Sequence, residues 1–133
     1  MNRVFIDTNL LIYLATAVTE KAEKVDSLIA KSKDTLISTQ LLNEFASACF
    51  TKNLLAFDEI QRYVHEFNQY FNVATVDFKI ISESFDIKRK YKYSWFDCMI
   101  IATALLNHST VLYSEDMQHK QKIGKLTIIN PFK

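Results

Sequence analysis

Four carboxylates, Asp7, Glu44, Asp97 and Asp116, are far apart in this chain, yet the residues around each place all of them at one edge of one parallel sheet. Asp7 closes a short apolar strand, Val4-Phe5-Ile6, and leads into Thr8-Asn9. Acids that converge with no lysine or arginine among them repel one another, and each makes its neighbour's charge more costly. A divalent cation with oxygen ligands relieves that repulsion, and a cation held by carboxylates is suited to hydrolysing phosphodiesters. The residue types therefore point to metal-assisted phosphodiester chemistry.

The elements that must position these acids follow from hydrophobic patterning. Short apolar runs at Val4–Ile6, Leu36–Ser38, Val73–Val76, Val111–Tyr113 and Leu126–Ile129 read as strands. Helical patterns lie between them, near Leu10–Thr16, Glu20–Ser32, Gln40–Thr51, Phe57–Tyr70, Phe78–Tyr91 and Trp95–Asn107. Alternation of this kind predicts a three-layer α/β/α fold, a central parallel sheet of four to five strands flanked by helices. In such a fold a helix that follows a strand, or feeds straight into the next one, starts at the carboxyl edge of the sheet. Asp7 ends the first strand there, and Glu44 lies in the opening turns after the second. Asp97 opens the helix that feeds Val111–Tyr113, and Asp116 lies just past that strand. Open α/β sheets place their ligand sites at this rim.

Each acid also has a purely structural reading. Asp7 can cap the helix beginning near Leu10, although Asp7-Thr8-Asn9 supplies more polar groups than a cap requires. Ser94-Trp95-Phe96-Asp97 has the spacing of a capping box, but the run Cys98-Met99-Ile100-Ile101-Ala102 marks a helix buried on most faces, and a charge leading it needs a partner. On a helical wheel Leu41, Leu42, Phe45, Ala48 and Cys49 form an apolar arc, with Asn43 and Ser47 toward solvent. Glu44 falls at the boundary, where an ordinary surface glutamate would also sit. In Tyr113-Ser114-Glu115-Asp116-Met117 one of the two acids faces the cluster, and Asp116 is favoured over Glu115. Asp77 reads as an N-cap on an edge strand.

Composition narrows the class. A chain of 133 residues that is 49% hydrophobic fits a single domain spanning 1–133. The net charge of +1 leaves any nucleic-acid surface to local distribution of charge. Its one glycine, Gly124, and one proline, Pro131, exclude phosphate-binding and dinucleotide-binding glycine loops. Cys49 and Cys98 sit in apolar helical runs and read as reduced, buried thiols of a cytoplasmic protein. The longest apolar stretch, Cys98 to Leu106, is too short to cross a membrane. His65, His108 and His119 form no ligand motif.

The ordered set Phe5-Ile6-Asp7-Thr8-Asn9, Leu42-Asn43-Glu44-Phe45 with upstream Ser38, Ser94-Trp95-Phe96-Asp97-Cys98 continuing to Ala104, Tyr113-Ser114-Glu115-Asp116-Met117 and Ile129-Asn130-Pro131-Phe132 resembles the PIN-domain ribonucleases of the VapC type. These are the toxin halves of bacterial toxin–antitoxin pairs. The resemblance implies that Asp7, Glu44, Asp97 and Asp116 are the catalytic quartet. Asp7 and Asp97 would be the principal Mg2+ (or Mn2+) ligands, and Glu44 and Asp116 would complete the site. It implies supporting hydrogen bonds from Asn9 and Ser114, and an RNA substrate left with 5′-phosphate and 3′-hydroxyl ends. It further implies a cognate antitoxin and a homodimer. Relatives often carry glycine where this chain has Lys120, a departure that bears on the loop behind Asp116.

Positive charge for the RNA backbone is expected from Lys88, Arg89, Lys90 and Lys92, with Tyr91, Tyr93 or Trp95 available to stack on an unpaired base. The same cations would also suit a solvated helix end. Two rival functions compete. A receiver-type phosphoacceptor would need paired acids after the first strand and a lysine after the last, and neither is in place. A catalytically inactive PIN-fold module, binding RNA or serving as a scaffold, would bind without cutting.

Overall fold

Strand β1 (Arg3–Ile6) lies inside the sheet, paired in parallel with β2 (Asp34–Ser38) on one side and β4 (Val111–Tyr113) on the other. A central strand covered on both faces should be apolar throughout, and Val4, Phe5 and Ile6 are all buried. The structure is a computed structural model that describes residues 3–16 and 19–133. β3 (Asn72–Ala74) flanks β2 in parallel, β6 (Leu126–Ile129) flanks β4 in parallel, and β5 (Lys122–Ile123) runs antiparallel on the outer edge of β6. The spatial order is β3-β2-β1-β4-β6-β5.

Six helices connect these strands among the described residues: α1 (Thr8–Thr16), α2 (Thr19–Lys31), α3 (Thr39–Thr51), α4 (Phe57–Tyr70), α5 (Phe78–Lys90) and α6 (Trp95–Leu106). They pack as two groups, α1 through α4 in one and α5 with α6 in the other. α6 is buried from Cys98 to Ala104, as its unbroken apolar run requires. In α3, Leu41, Phe45 and Cys49 face the core, and Phe45 meets Phe67 edge-to-face at 5.2 Å, which fixes the roll of the helix that carries Glu44. Asp77 caps α5 by accepting the Ile80 N–H, and β3, which precedes it, is an edge strand, both as expected. Cys49 and Cys98 are free and buried.

The expected sheet of four to five parallel strands requires one correction: it has six, and the sixth is antiparallel. The missed strand is only Lys122–Ile123, too short to show an alternating pattern. Its signal was Gly124, which lies at φ 59° between Ile123 and Leu126 and turns the chain back on itself. At the far edge of the sheet, Arg3 Nε binds Asp34 Oδ2 at 2.7 Å and Asn72 Nδ2 donates to the other carboxylate oxygen at 2.6 Å. The Arg3 guanidinium holds the Asp34 carboxyl below its usual range and locks the starts of three strands in register.

Lys120 occupies the left-handed region at φ 69°, a conformation that favours glycine. Its N–H donates to Ile128 O at 2.7 Å, so the hydrogen bond holds the loop in the shape a glycine would take without strain. A side chain there costs about 1–2 kcal/mol, partly offset by the extra freedom glycine gives the unfolded chain. Lys120→Gly is therefore expected to raise stability by about 0.5–1 kcal/mol, read as a higher urea midpoint at unchanged slope; a lower midpoint would show that the lysine is not strained.

Candidate functional site

The register of β1 against β4 builds the centre of the site. Ile6 lies opposite Tyr113, and the ladder continues one step further because the Asp7 N–H donates to Tyr113 O at 3.0 Å. Asp7 and Ser114 thus emerge side by side at the carboxyl edge. Ser114 Oγ donates to Asp7 Oδ2 at 2.8 Å, and the Thr8 N–H, opening α1, donates to Oδ1 at 2.6 Å. Asp7 does serve the start of α1, as the capping reading held, but a second strand holds its other oxygen.

The other acids arrive by separate routes. Ser38 ends β2 and caps α3 by accepting the Leu41 N–H at 3.2 Å, which brings Glu44 to the rim in the second turn. Ser94 caps α6 by accepting the Asp97 N–H at 3.2 Å, which sets half-buried Asp97 in the first turn of the helix. Asp116 lies beyond β4, exposed, where it accepts from Asn9 Nδ2 at 2.8 Å. Glu115 turns the other way, to Lys21 and Tyr13, so of the two adjacent acids Asp116 is the one on the Asn9 side.

Electrostatics couples the four. Asp7 is only 6% exposed, and burial raises its carboxyl pKa from 3.8 to about 6; Ser114 and Thr8 pull it down, and the charges of Asp97 and Glu44 push it up. Burial also raises Glu44, against the Gln40 hydrogen bond and with the charge of Asp97. Asp97 is raised by burial and by the charge of Asp116, against the pull of Ser94. Among the described residues the salt bridges engage other acids, Asp34, Glu66 and Glu115. Asp7, Glu44 and Asp97 are therefore carboxylates raised by burial and by one another's or Asp116's charge, and offset by neutral donors.

As these side chains stand, no three acid, imidazole or thiol groups among the described residues are drawn together tightly enough to grip one ion. Glu44 is turned toward Gln40, whose Nε2 donates to it at 2.6 Å and to Phe96 O at 3.2 Å, and Asp116 is turned toward Asn9. The donor set nevertheless fits a hard divalent cation: it is all oxygen, anionic and without a competing ammonium. Two buried oxygens without hydrogen-bond partners, Thr8 Oγ1 and Gln40 Oε1, belong to residues that touch the rim. Gln40 was missed by sequence reasoning, although its spacing of four from Glu44 on one helix face was visible.

The expected cationic segment lies at the end of α5. Lys88, Arg89, Lys90 and Lys92 are all exposed, and Lys88 Nζ donates to Tyr93 O at 2.6 Å. Of the aromatic groups, the Tyr93 hydroxyl is engaged by Gln121 and the Gln118 N–H, and Trp95 packs on Phe85 at 4.7 Å. The histidines take no part in the rim: His119 Nδ1 accepts the Asn130 N–H, and His108 has a left-handed backbone at φ 62°. No described helix is long and apolar enough to cross a membrane.

A family model described as the PIN domain matches residues 4–124. Similar folds include VapBC-1 of nontypeable Haemophilus influenzae, 17% identical with a TM-score of 0.75 over 98% of this chain and 99% of that one. A toxin–antitoxin complex from Klebsiella pneumoniae is 23% identical, TM-score 0.73, covering 96% and 97%. VapC20 of Mycobacterium tuberculosis, described as a sarcin–ricin loop cleaving toxin, is 15% identical, TM-score 0.71, covering 85% and 89%. A search of curated protein sequences gives no match.

The raised pKa of Asp7 has a consequence for stability. The folded state holds this proton up to about pH 6 while the unfolded chain releases it near 3.8, so stability is fully present below 3.8 and declines as pH rises through 6. At roughly 1.4 kcal/mol for each pH unit between the two values, ionised Asp7 costs the metal-free fold about 3 kcal/mol at pH 7.5. In chelator, Asp7→Asn should melt above the wild type at pH 7.5 and close to it near pH 4. Equal melting at both pH values would mean that Asp7 is not desolvated.

Proposed function

The chain belongs to the PIN-domain family, and on that premise we propose that it is a metal-dependent endoribonuclease acting as the toxin of a toxin–antitoxin pair. One observation carries the reading: a buried carboxylate, Asp7, stands at a shared strand end within the fields of Asp97 and Glu44, with hydrogen-bond donors and, among the described residues, no salt-bridge partner. Leaving such a charge uncompensated costs stability, and a fold keeps that cost where function requires it.

Asp7 and Asp97 would hold Mg2+, or Mn2+ with the same oxygen ligands, with Glu44 and Asp116 completing the set. When bound, the ion supplies charge stabilisation for phosphodiester hydrolysis and activation of water. The protein's own part is positioning. Ser114 and the Thr8 N–H fix both oxygens of Asp7, Gln40 steers Glu44, Asn9 steers Asp116, and the Ser94 cap sets the first turn that carries Asp97. Because the rim is acidic, RNA phosphates need cations nearby, and Lys88, Arg89, Lys90 and Lys92 fill that role.

The protein partners follow from the same reading, since matched folds come from toxin–antitoxin complexes. The antitoxin would seat on the groove of about 580 Å³ between α1, α2 and α4, where Leu14, Tyr63, Phe67 and Tyr70 supply apolar surface and Asp26 and Glu66 supply negative charge. A second copy of the chain would form the homodimer. What favours the nuclease over the inactive module is that all four acids are present and electrostatically linked.

Purified protein free of antitoxin is expected to cut a structured RNA pool with Mg2+ or Mn2+, to stop in chelator, and to lose at least 100-fold in Asp7→Asn. RNA binding without cutting in any metal would favour the inactive module, and cutting that survives Asp7→Asn would refute the assigned site. In a salt series on the Asp7→Asn background, neutralising Lys90 and Lys92 to alanine should weaken RNA binding and make its logarithmic salt slope shallower by up to about 0.7 per cation removed. An unchanged slope would remove the patch from the RNA path.

A further inference from the structure

Glu115 and Asp116 are adjacent, both acidic and both on the loop that leaves β4, so a modest rotation of that loop would exchange them at the rim. Several contacts hold Glu115 on the side away from Asn9. Lys21 Nζ, from α2, donates to Glu115 Oε2 at 2.5 Å, and the Tyr13 hydroxyl, from α1, donates to Oε1. Lys21 also donates to the Tyr13 hydroxyl at 3.2 Å and lies 4.7 Å above the Tyr13 ring and 5.1 Å from the Phe132 ring. Tyr13 and Phe132 meet edge-to-face at 5.6 Å. Asn130 Nδ2 donates to the Glu115 carbonyl at 3.2 Å, and Asn130 Oδ1 accepts the Phe132 N–H at 2.9 Å. Side chain and backbone of Glu115 are thus held from α1, α2 and the C-terminal turn at once.

An exposed ion pair contributes little. This one differs in that the ammonium holds one carboxylate oxygen while the Tyr13 hydroxyl holds the other, with two aromatic rings beside the ammonium and side chains 38% (Lys21) and 22% (Glu115) exposed. On the other side of Asp116, Ser114 Oγ accepts the Met117 N–H while donating to Asp7, so the loop is pinned at both ends. We propose that Lys21 and Tyr13 are positioning residues that clamp Glu115 away from the carboxylate rim, so that Asp116 alone is presented there beside Asn9. The clamp rests on the nuclease reading for its purpose, but its geometry stands without it. Without the clamp, Glu115 is a fifth carboxylate, on a longer stem, free to compete with Asp116 for a bound cation and pull the loop out of register.

The test compares Lys21→Met, Lys21→Arg, Tyr13→Phe and the double variant Lys21→Met/Glu115→Gln with the wild type, by Mn2+ calorimetry, RNA cleavage and melting. Lys21→Met is expected to stay folded, to shift the Mn2+ dissociation constant at least threefold, and to cut RNA at a tenth of the wild-type rate or less, with KM little changed. Lys21→Arg should keep most of both properties, and Tyr13→Phe should lie between. Adding Glu115→Gln to Lys21→Met should restore the Mn2+ constant and raise the rate several-fold, because the competing charge is gone; packing alone would give no such rescue. Wild-type Mn2+ affinity in Lys21→Met, or no recovery in the double variant, would overturn the clamp. The Mn2+ isotherms decide the clamp whether or not the chosen RNA is cut, and Asp7→Asn against wild type on RNA decides the nuclease separately.

Discussion

The structure is organised around a carboxylate, Asp7, placed where there is little water and where burial opposes its charge. Its carboxylate closes the innermost run of the sheet, bonded to Ser114 and the first turn of α1, and feels the charge of two further acids. Most buried carboxylates obtain a lysine or arginine partner. Here the fold supplies hydrogen-bond donors instead, which lower the cost of the charge without cancelling it. Whatever approaches the rim with positive charge meets a field that nothing has neutralised.

Neutral donors set the direction of the remaining acids by the same logic. Gln40 holds Glu44 and Asn9 holds Asp116. Cations are present in the protein but are placed elsewhere, Arg3 on Asp34 at the opposite edge, Lys21 on Glu115, and Lys88 to Lys92 along the exit of α5. Segregation of this kind lets a nearly neutral chain carry separate acidic and basic surfaces. A lysine within the quartet would collapse it into an ordinary salt bridge.

The loop between β4 and β5 carries the finest adjustment. It delivers Ser114 to Asp7, sends Glu115 to α1 and α2, turns Asp116 toward Asn9 and buries Met117, all within four residues. Such divergence needs a backbone fixed from several sides. Asn130, His119 and the left-handed Lys120 provide that, and the lone glycine is reserved for the β5–β6 turn that follows.

Much of this was legible in the sequence. The five longer strands and all six helices follow from apolar periodicity, because burial imposes its period directly on residue type. The common edge for the four acids follows from handedness and alternation alone. What sequence could not reach were properties that depend on side chains from distant segments. The two-residue strand β5 exists only because β6 is there to pair with it. The sequence favoured Asp116 over Glu115, but it did not show the partners that take up Glu115, Lys21 and Tyr13 from about a hundred residues away, and the bridging role of Gln40 depends on the Phe96 carbonyl arriving from α6. Chain chemistry determined which groups gather at the rim; tertiary packing decided how each one points, because a carboxylate's direction is set by the donors that other segments bring to it.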